Sequence, residues 1–329
     1  MCTPVNQDGE HMSQRKAVVT GANGFIGSAL VDYLTRRDVQ VTAVGRTLPV
    51  EPEQRSNLRW IEGDVREPGS LDGVLDNETT LYQLAGHTSV AGSVKDPILD
   101  FECNVQAFLE VLESVRNTGA RLLFPSSPAV FASGQPLPLS ETALKKPTSP
   151  YGAAKLACEG YAQSYHACYG VDVRIARIFN VYGPGMTRFA IYDFWNKVRQ
   201  NPDRMEILGH GDQIRDYLYI DDAVEALVAI AERGEPGQDY NVASGIPVPT
   251  IELARQVALL MGAPTIEIST LGKSFPGDIP RWYADVTRLR QLIPQSPICL
   301  SDGLVRTIDW LNDQTVENVT THGRIARSV

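Results

Sequence analysis

The sequence predicts an α/β protein in which a doubly wound parallel sheet carries a smaller α+β lobe toward the C-terminus. Short apolar runs alternate with helical segments through the first half of the 329 residues, as in repeated β-α-β units. The first run leads directly into the glycine-rich turn TGANGFIG and then into a helix. After about residue 180 the pattern changes to short strands and helices in mixed order.

The expected strands of the sheet are short apolar runs. They are KAVVT (16–20), VQVTAV (39–44), LRWIEGD (58–64), TLYQLAG (80–86) and ARLLFPSS (120–127). Helices are expected at 24–37, where Ile26, Leu30 and Leu34 have helical spacing, and at 101–119, which ends on glycine. Strands that alternate with helices in this way form a parallel sheet, because the crossover connections are right-handed.

The second half of the chain supplies the expected lobe. Helices are expected in IYDFWNKVRQN, DDAVEALVAIAERG and IELARQVALLMG, and strands in EILGHG and IRDYLYI. We therefore expect a sheet domain over residues 14–180, to which later segments return, and a substrate-binding lobe over 181–313. Residues 1–13 and 314–329 are expected to be flexible tails. The lobe should complete a cleft over the carboxyl edge of the sheet, where ligands of open α/β sheets bind.

Composition excludes several classes of function. The formal net charge of −9 lacks the concentration of basic residues that a nucleic-acid backbone requires. No apolar run reaches membrane length, and the five histidines show no metal-ligand spacing with acidic residues. The five cysteines are odd in number and form no CxxC motif, which favours reduced thiols. We therefore expect a cytoplasmic protein without nucleic-acid, membrane or metal partners.

The glycine-rich turn predicts a dinucleotide site. Gly21, Gly24 and Gly27 follow a strand and open a helix, whose free N–H groups and dipole favour a pyrophosphate. The glycines allow the tight turn and a close approach of the backbone to the ligand. Residues 14–180 are therefore expected to be an NAD(P)-binding Rossmann domain. Cofactor contacts are expected at Gly21, Asn23, Gly24, Phe25, Ile26, Gly27, Arg46, Asp64, Val65, Leu84, Ala85 and Gly86, as well as at the catalytic pair described below.

The end of the second strand bears on which dinucleotide is bound. NAD sites usually place an acidic residue there to hold the ribose 2′-hydroxyl. That position, eighteen residues after Gly27, is Gly45, and Arg46 follows it. Arg46 either accepts a 2′-phosphate or is an ordinary solvated arginine, and Asp64 either meets the adenine edge or is a turn residue. These residues favour NADP and leave NAD open.

A helix near residue 150 carries the expected catalytic pair. SPYGAAKLACEGYA places Tyr151 and Lys155 one helical turn apart on the same face. The alternative is a surface pair near a helix start. The pKa of a free phenol is near 10, so action as a base near pH 7 requires about 4 kcal/mol of phenolate stabilisation. A lysine and a cationic nicotinamide ring nearby are effects of that size, and Ser126 and Ser127 at the preceding strand end offer a hydroxyl.

Five motifs together resemble a known family. TGANGFIG, SSPAVF, SPYGAAK, RIFNVYGPG and GDQIRDYLYIDD occur in the order found in the extended short-chain dehydrogenase/reductases that act on nucleotide sugars. The resemblance covers roughly residues 16–311. It implies that Ser127, Tyr151 and Lys155 are the catalytic trio, and that Asn104 supports Lys155 through water.

The resemblance also implies a nucleotide-diphosphate sugar as substrate. Asn180 and Arg215 would meet its diphosphate. The arginine that the family carries before PGD is Phe275 here, so that contact is either missing or supplied by Arg281. His87 faces the mouth of the site and is either a strand-end histidine held within the fold or a substrate contact. The full set of expected substrate contacts is Ser126, Ser127, His87, Asn180, Arg215, Asp278 and Arg281.

Departures from the family pattern bear on the reaction. Dehydratases of this family carry an Asp-Glu pair after the catalytic hydroxyl residue, and here those positions are Pro128 and Ala129, which cannot transfer protons. The stretch PGDIPRWYADVTRLRQLI resembles the epimerase branch, so a 4-epimerase acting through a transient 4-keto sugar is expected. The alternative is an NADPH-dependent 4-ketoreductase of a 4-keto-6-deoxysugar, because Gly45 and Arg46 resemble the second strand end of those enzymes.

The resemblance further implies a homodimer. Helices 101–118 and 150–169 resemble the pair that builds the family's four-helix bundle between two subunits. The apolar side chains compatible with that interface, or with packing on the sheet instead, are Phe108, Val111, Leu112, Leu156 and Tyr161.

Overall fold

A computed structural model describes residues 15–49, 54–274 and 276–325, with side chains as far as residue 314. The strands are β1 (Lys16–Thr20), β2 (Gln40–Gly45), β3 (Leu58–Glu62), β4 (Thr79–Gln83), β5 (Arg121–Ser126), β6 (Val173–Ile178), β7 (Asn180–Tyr182), β8 (Arg204–Ile207), β9 (Ile214–Tyr219), β10 (Asp239–Val242), β11 (Pro247–Pro249) and β12 (Glu267–Thr270). The helices are α1 (Phe25–Thr35), α2 (Val90–Lys95), α3 (Pro97–Phe101), α4 (Ala107–Thr118), α5 (Pro150–Tyr169), α6 (Ala190–Gln200), α7 (Ile220–Arg233), α8 (Thr250–Leu260), α9 (Thr287–Leu292) and α10 (Leu300–Ile325). A π-helical segment, Glu102–Gln106, precedes α4, and a 3₁₀ turn, Pro128–Val130, follows β5.

Seven strands form one sheet in the order β10-β6-β5-β4-β1-β2-β3. Every neighbouring pair in it is parallel. The chain winds outward from β1 in one direction through β2 and β3 and in the other through β4, β5 and β6. The predicted doubly wound Rossmann-like sheet is therefore confirmed.

Both faces of the sheet are covered by helices, because successive residues of a strand point to opposite sides. In β1, Val19 packs in a cluster with Leu30 of α1 and Leu227 of α7. Its neighbour Val18 packs on the other face with Phe108 of α4. The apolar runs in the first half of the sequence thus face helices on both sides of the sheet, as a fully buried parallel sheet requires.

The later part of the chain divides between the large sheet and smaller sheets. Strand β10 joins the edge of the seven-stranded sheet beside β6. Strands β11, β9 and β7 form a second sheet, and β12 pairs in parallel with β8. Of the segments expected to be tails, residues 1–13 lie outside the described residues, and the backbone from 314 to 325 continues α10.

Two helices were expected to form a subunit interface. Most of the apolar side chains named for that interface are packed within the protein instead. Phe108, Val111 and Leu112 on α4 are buried against the sheet, and the Phe108 and Phe124 rings lie 4.2 Å apart between centroids. The sequence left open whether the five apolar positions form a subunit interface or pack on the sheet, and these three pack on the sheet. Tyr161 on α5 is exposed.

Candidate active site

The predicted site residues gather at the carboxyl ends of the central strands. Strand β1 lies between β2 and β4, so the strand order reverses there. In open α/β sheets this reversal creates a crevice in which ligands bind. The turn after β1, the segment after β4 and the serines at the end of β5 all open onto this edge.

The turn between β1 and α1 packs this closely against its own backbone and against the segment after β4 only because it contains glycines. Gly21 has a φ of 65°, and a Cβ atom on it would lie 2.7 Å from the Ala85 nitrogen. A Cβ atom on Gly27 would lie 2.2 Å from the Gly21 oxygen. Helix α1 begins at Phe25 and no side chain caps its first turn. Its N-terminal N–H groups therefore face the crevice, which fits a pyrophosphate.

A clasp between β1 and β4 holds the segment 84–86 beside the glycine turn. The Thr20 hydroxyl donates to the Gln83 side-chain oxygen at 2.6 Å and accepts from the Ala85 nitrogen at 3.2 Å. The Gln83 amide donates in turn to the Ala85 carbonyl at 3.1 Å. Sequence reasoning missed Thr20 and Gln83, although two polar residues ending adjacent buried strands were a signal for such a clasp.

The end of β2 lacks an acidic side chain, and a side chain in place of Gly45 would be tightly packed against Asn23. A Cβ atom on Gly45 would lie 3.0 Å from the Asn23 amide nitrogen, which donates to the Thr47 carbonyl at 2.5 Å. Arg46, the next residue, is exposed. Asp64 lies nearby and accepts a bidentate pair from Arg66, which holds the pKa of the Asp64 carboxyl below its usual range.

The start of α5 fixes the position of Tyr151. The Ser149 side chain caps the helix by accepting from the Gly152 nitrogen at 3.1 Å, and Pro150 occupies the first turn. The Tyr151 nitrogen donates to the Ser93 hydroxyl at 3.1 Å. A Cβ atom on Gly152 would lie 2.3 Å from the Ala129 oxygen, so the small residue lets α5 pack directly on the 3₁₀ turn. This contact explains why small residues surround the tyrosine.

Ser127 lies next to the Tyr151 phenol. Its hydroxyl accepts from the Ala129 nitrogen at 3.2 Å, and its proximity lowers the pKa of the phenol. Burial raises the pKa of Tyr151 to about 12, and the influence of the Ser127 hydroxyl opposes this rise. The protein's side chains alone therefore leave the phenol protonated at neutral pH.

Lys155 is buried one turn further along α5. Its Nζ donates to the Pro125 carbonyl at 3.1 Å and lies 6.0 Å from the centre of the Tyr151 ring. Burial lowers the pKa of the Lys155 ammonium. The expectation that lysine and phenol share a helix face is met, but the two are not in direct contact.

Asn104 lies in the π-helical segment, a geometry that is frequent at functional sites. Its Nδ2 donates to the His87 carbonyl at 3.0 Å and to Asp100 Oδ1 at 3.1 Å. The His87 ring nitrogen Nδ1 lies 2.8 Å from the same Asp100 oxygen. His87 is therefore held within the fold by a buried carboxylate that the sequence did not single out.

Ser126 points away from its neighbour Ser127. Its hydroxyl donates to Glu159 Oε1 at 2.6 Å, and Glu159 forms a buried bidentate pair with Arg177 at 2.7 and 2.8 Å. The expected substrate contact of Ser126 is therefore not supported, because its hydroxyl hydrogen is used within the core. Successive strand residues face opposite sides of a sheet, so only one of the two serines faces the tyrosine.

The expected diphosphate contacts gather around β9. Arg215 donates to Asp278 Oδ1 at 2.6 Å and to the Pro280 carbonyl at 3.0 Å, and its guanidinium lies 4.7 Å from the centre of the Trp282 ring. Arg281 is exposed and lies 3.2 Å from Asp212. Asn180 donates to the Asp216 carbonyl at 3.0 Å. Asp278 thus neutralises part of the charge of Arg215, while Phe275 lies outside the described residues.

Arg188 is a cation near the phenol that sequence reasoning missed. It donates to the Thr88 hydroxyl at 2.8 Å, and its charge lowers the pKa of Tyr151. The next residue, Phe189, has a φ of 72°, a strained conformation for a residue with a side chain. The one signal in the sequence was a basic residue at the end of the glycine-rich loop NVYGPGMTR.

Other classes of site were also sought. No cluster of histidine, cysteine and acidic side chains suited to a metal ion occurs among the described residues. Within the same residues no helix has the length and apolar character needed to cross a membrane.

Comparison with known proteins agrees with this geometry. Residues 17–243 match the model of the NAD dependent epimerase/dehydratase family. A UDP-glucose 4-epimerase of Mycolicibacterium smegmatis is 30% identical over 314 residues, which are 91% of this chain and 99% of that protein. A dTDP-glucose 4,6-dehydratase of Streptomyces niveus is 26% identical over 313 residues, 91% and 93% of the two chains. The solved structure of MoeE5 with UDP-glucose and NAD superposes with a TM-score of 0.81 at 31% identity, covering 91% of this chain and 99% of that one.

A nucleotide crevice at the switch point of a Rossmann-like sheet, with a Ser-Tyr-Lys group at its edge, defines a dinucleotide-dependent enzyme. This chain belongs to the NAD-dependent epimerase/dehydratase family, within the extended short-chain dehydrogenase/reductases. Its homologues are NAD-dependent nucleotide-sugar epimerases and dehydratases.

Proposed function

We propose that the protein is a nucleotide-sugar 4-epimerase, which oxidises the sugar at C4 to a transient ketone and reduces it again on the opposite face. UDP-glucose is the first substrate to test, because the epimerase of Mycolicibacterium smegmatis named for it matches along nearly its whole length. The nearby family members include dehydratases and a decarboxylase, so the choice among reactions depends on the residues of this site.

The residues fit a dinucleotide. Glycines at positions 21 and 27 let the turn pack tightly against its own backbone, and the N-terminus of α1 has no side-chain cap, so its N–H groups are available to a pyrophosphate. The pyrophosphate would lie on the N-terminus of α1, with Leu84, Ala85 and Gly86 along the nicotinamide side. When bound, the nicotinamide ring supplies a reversible acceptor for the hydride at C4.

The chain's own side chains handle the proton and the orientation of the sugar. Tyr151 accepts the C4 hydroxyl proton as the ketone forms and returns it when the alcohol is restored. Ser127, whose hydroxyl influences the phenol, would orient the C4 oxygen. The Lys155 ammonium favours the phenolate through its charge, and Arg188 acts in the same direction. Arg215 and Arg281 would hold the diphosphate.

The single observation that carries the choice of epimerase is the 3₁₀ turn after Ser127. Pro128, Ala129 and Val130 form this turn, and all three are buried. None of their side chains can donate or accept a proton. Elimination of water from a sugar needs an acid and a base beside the reacting carbons, and this wall of the site offers neither.

One observation favours a second candidate, an NADPH-dependent 4-ketoreductase. Arg46 is exposed at the end of β2, and Gly45 stands where NAD sites usually carry an acidic side chain. This end of the site therefore suits a 2′-phosphate. In that reaction Tyr151 would donate a proton to a ketone once per turnover, and reduced cofactor would be consumed.

The test combines turnover with one substitution. Purified protein with UDP-glucose should form UDP-galactose without added reductant, as followed by NMR, and NAD should be released on denaturation. Tyr151→Phe should lower turnover about 10³-fold, because the proton acceptor is lost, with dinucleotide binding unchanged. Tyr169→Phe, at the exposed end of the same helix, is the control. Undiminished turnover in Tyr151→Phe would refute the mechanism, and consumption of NADPH with a 4-keto sugar would establish the reductase instead.

We also propose that the protein is a cytoplasmic homodimer. The four cysteines among the described residues are free thiols. Ile98 and Phe101 are 67% and 52% exposed, and Tyr161 on α5 is exposed as well. These exposed apolar side chains are available to the expected subunit interface. Light scattering should give twice the mass of 36.1 kDa. A mass of one chain at micromolar concentration would contradict the dimer.

A further inference from the structure

A buried carboxylate next to the active site has no place in the mechanism above. Asp100 is 1% exposed and lies on α3. Its Oδ1 lies 2.8 Å from His87 Nδ1 and 3.1 Å from Asn104 Nδ2, while Oδ2 has no partner among the described residues. A buried carboxylate with so few partners is costly, so a role other than stability has to account for it.

Helix capping does not account for Asp100. The cap of α3 is Asp96, whose side chain accepts from the Leu99 nitrogen at 3.0 Å. Asp100 instead contacts His87 and Asn104, and its charge acts on both Tyr151 and Lys155.

The contacts of Asp100 determine which way the Asn104 amide faces. Nδ2 of Asn104 lies between two acceptors, the His87 carbonyl at 3.0 Å and Asp100 Oδ1 at 3.1 Å. Because the amide is planar, its Oδ1 must point to the opposite side. That side is Gly86, where an added Cβ atom would lie 2.9 Å from Asn104 Oδ1 and 3.9 Å from Lys155 Nζ. The amide oxygen and the ammonium therefore face the same small space.

We propose that Asp100, held by the His87 ring, is a positioning residue that turns the Asn104 carbonyl toward the Lys155 ammonium. Lys155 has three N–H donors, and the Pro125 carbonyl accepts from Nζ at 3.1 Å. An oriented carbonyl, directly or through one water, keeps the ammonium charged and in place beside Tyr151. This inference deepens the proposed function, since it names what sets the geometry of its catalytic lysine.

The kinetic test is a double-mutant cycle with UDP-glucose as the substrate. Asp100→Leu keeps the shape and removes the acceptor, so kcat should fall about tenfold while KM changes less than about twofold. Asp100→Asn retains an oxygen acceptor and should stay within about threefold of wild type. In an Asn104→Ala background, Asp100→Leu should have no further effect, because Asp100 acts through that amide. Additive losses, or an Asn variant as slow as the Leu variant, would overturn the proposal.

The control is Asp96→Asn, a carboxylate on the same short helix outside the network. Its kcat should match wild type even if α3 is slightly less stable. If Asp100→Leu does not fold, Asp100→Ala replaces it in the same cycle. A fall in thermal stability with unchanged kcat in the folded variant would assign Asp100 a structural role and refute the positioning role.

A second measurement does not depend on turnover. Crystal structures of wild type and Asp100→Leu, each with NAD, should differ in the torsion of the Asn104 side chain and in the distance from Lys155 Nζ to the Pro125 carbonyl. Unchanged positions would overturn the inference. If wild type does not convert UDP-glucose, the proposed function fails for that substrate while these structures still decide the role of Asp100.

Discussion

Two of the buried carboxylates in the structure differ in their hydrogen bonding. Asp100 lies beside the catalytic lysine, and Asp216 lies in the substrate-side lobe. Both oxygens of Asp216 are satisfied: Oδ1 accepts from the Ser244 nitrogen and hydroxyl at 2.8 and 2.6 Å, and Oδ2 from the Gly245 and Ala284 nitrogens at 2.9 and 3.1 Å. Asp100 has partners on one oxygen only.

The difference separates a carboxylate that joins segments from one that orients a catalytic group. Asp216 on β9 ties together the turn at 244–245 and the segment at 284, which are far apart in sequence. Its burial raises its pKa, and the four hydrogen bonds oppose that rise. Asp100 joins only neighbours of the active site. We therefore expect substitution of Asp216 to affect folding and substitution around Asp100 to affect rate.

The largest expected effect is on stability. Asp216→Ala removes the acceptor of four donors, three of them backbone N–H groups, and should lower the free energy of unfolding by about 4 kcal/mol. Urea denaturation followed by circular dichroism measures this. Asp212→Ala, an exposed carboxylate on the preceding loop, is the control and should change stability by less than about 0.5 kcal/mol. A loss below about 1 kcal/mol in Asp216→Ala would show that the contrast between the two carboxylates is wrong.

A smaller effect, on rate, is expected at Gly86. The Cβ atom of Gly86→Ala would lie 2.9 Å from Asn104 Oδ1, so the amide must move away from Lys155. We expect kcat to fall about tenfold while the free energy of unfolding changes by less than about 1.5 kcal/mol. Steady-state kinetics and urea denaturation on the same sample separate the two effects.

Gly160→Ala is the matched control for that substitution. Gly160 lies on α5 with no atom within 4 Å of an added Cβ, so the change should leave kcat unaltered and stabilise the helix by about 0.5–1 kcal/mol. If Gly86→Ala were as active as Gly160→Ala, the direction of the Asn104 amide would not matter for catalysis.

The sequence predicted the sheet well where the signals were local. The expected first strand, 16–20, is β1 with the same bounds, and the other four expected strands of the first half correspond to β2 through β5. The π-helical segment within the expected helix 101–119 was not predicted, because its wider hydrogen-bond spacing depends on what packs against it. Asn104 owes its position to that segment.

Some site residues could be identified from spacing and others could not. Tyr151 and Lys155 follow from a single helical turn, and Gly21 and Gly27 from one strand-turn-helix unit. The family resemblance selected Ser127, but spacing alone did not distinguish it from Ser126, because the sequence does not say which face of β5 meets Glu159 and which meets Tyr151. That choice depends on the packing of α5.

The sequence by itself determined the β-α-β order, the glycine turn and the tyrosine–lysine spacing, since each is set by residues within a few positions of one another. Only the tertiary structure decided that Asp100 faces Asn104, that Arg188 approaches the phenol and that Asp278 neutralises Arg215. Arg188 acts on Tyr151, 37 positions away in the chain, and Asp278 acts on Arg215, 63 positions away. Asp100 lies on α3 and reaches the catalytic helix only through Asn104 in the π-helical segment. Such pairings are fixed by how helices and loops pack over the sheet edge, and local sequence preferences carry no record of that packing.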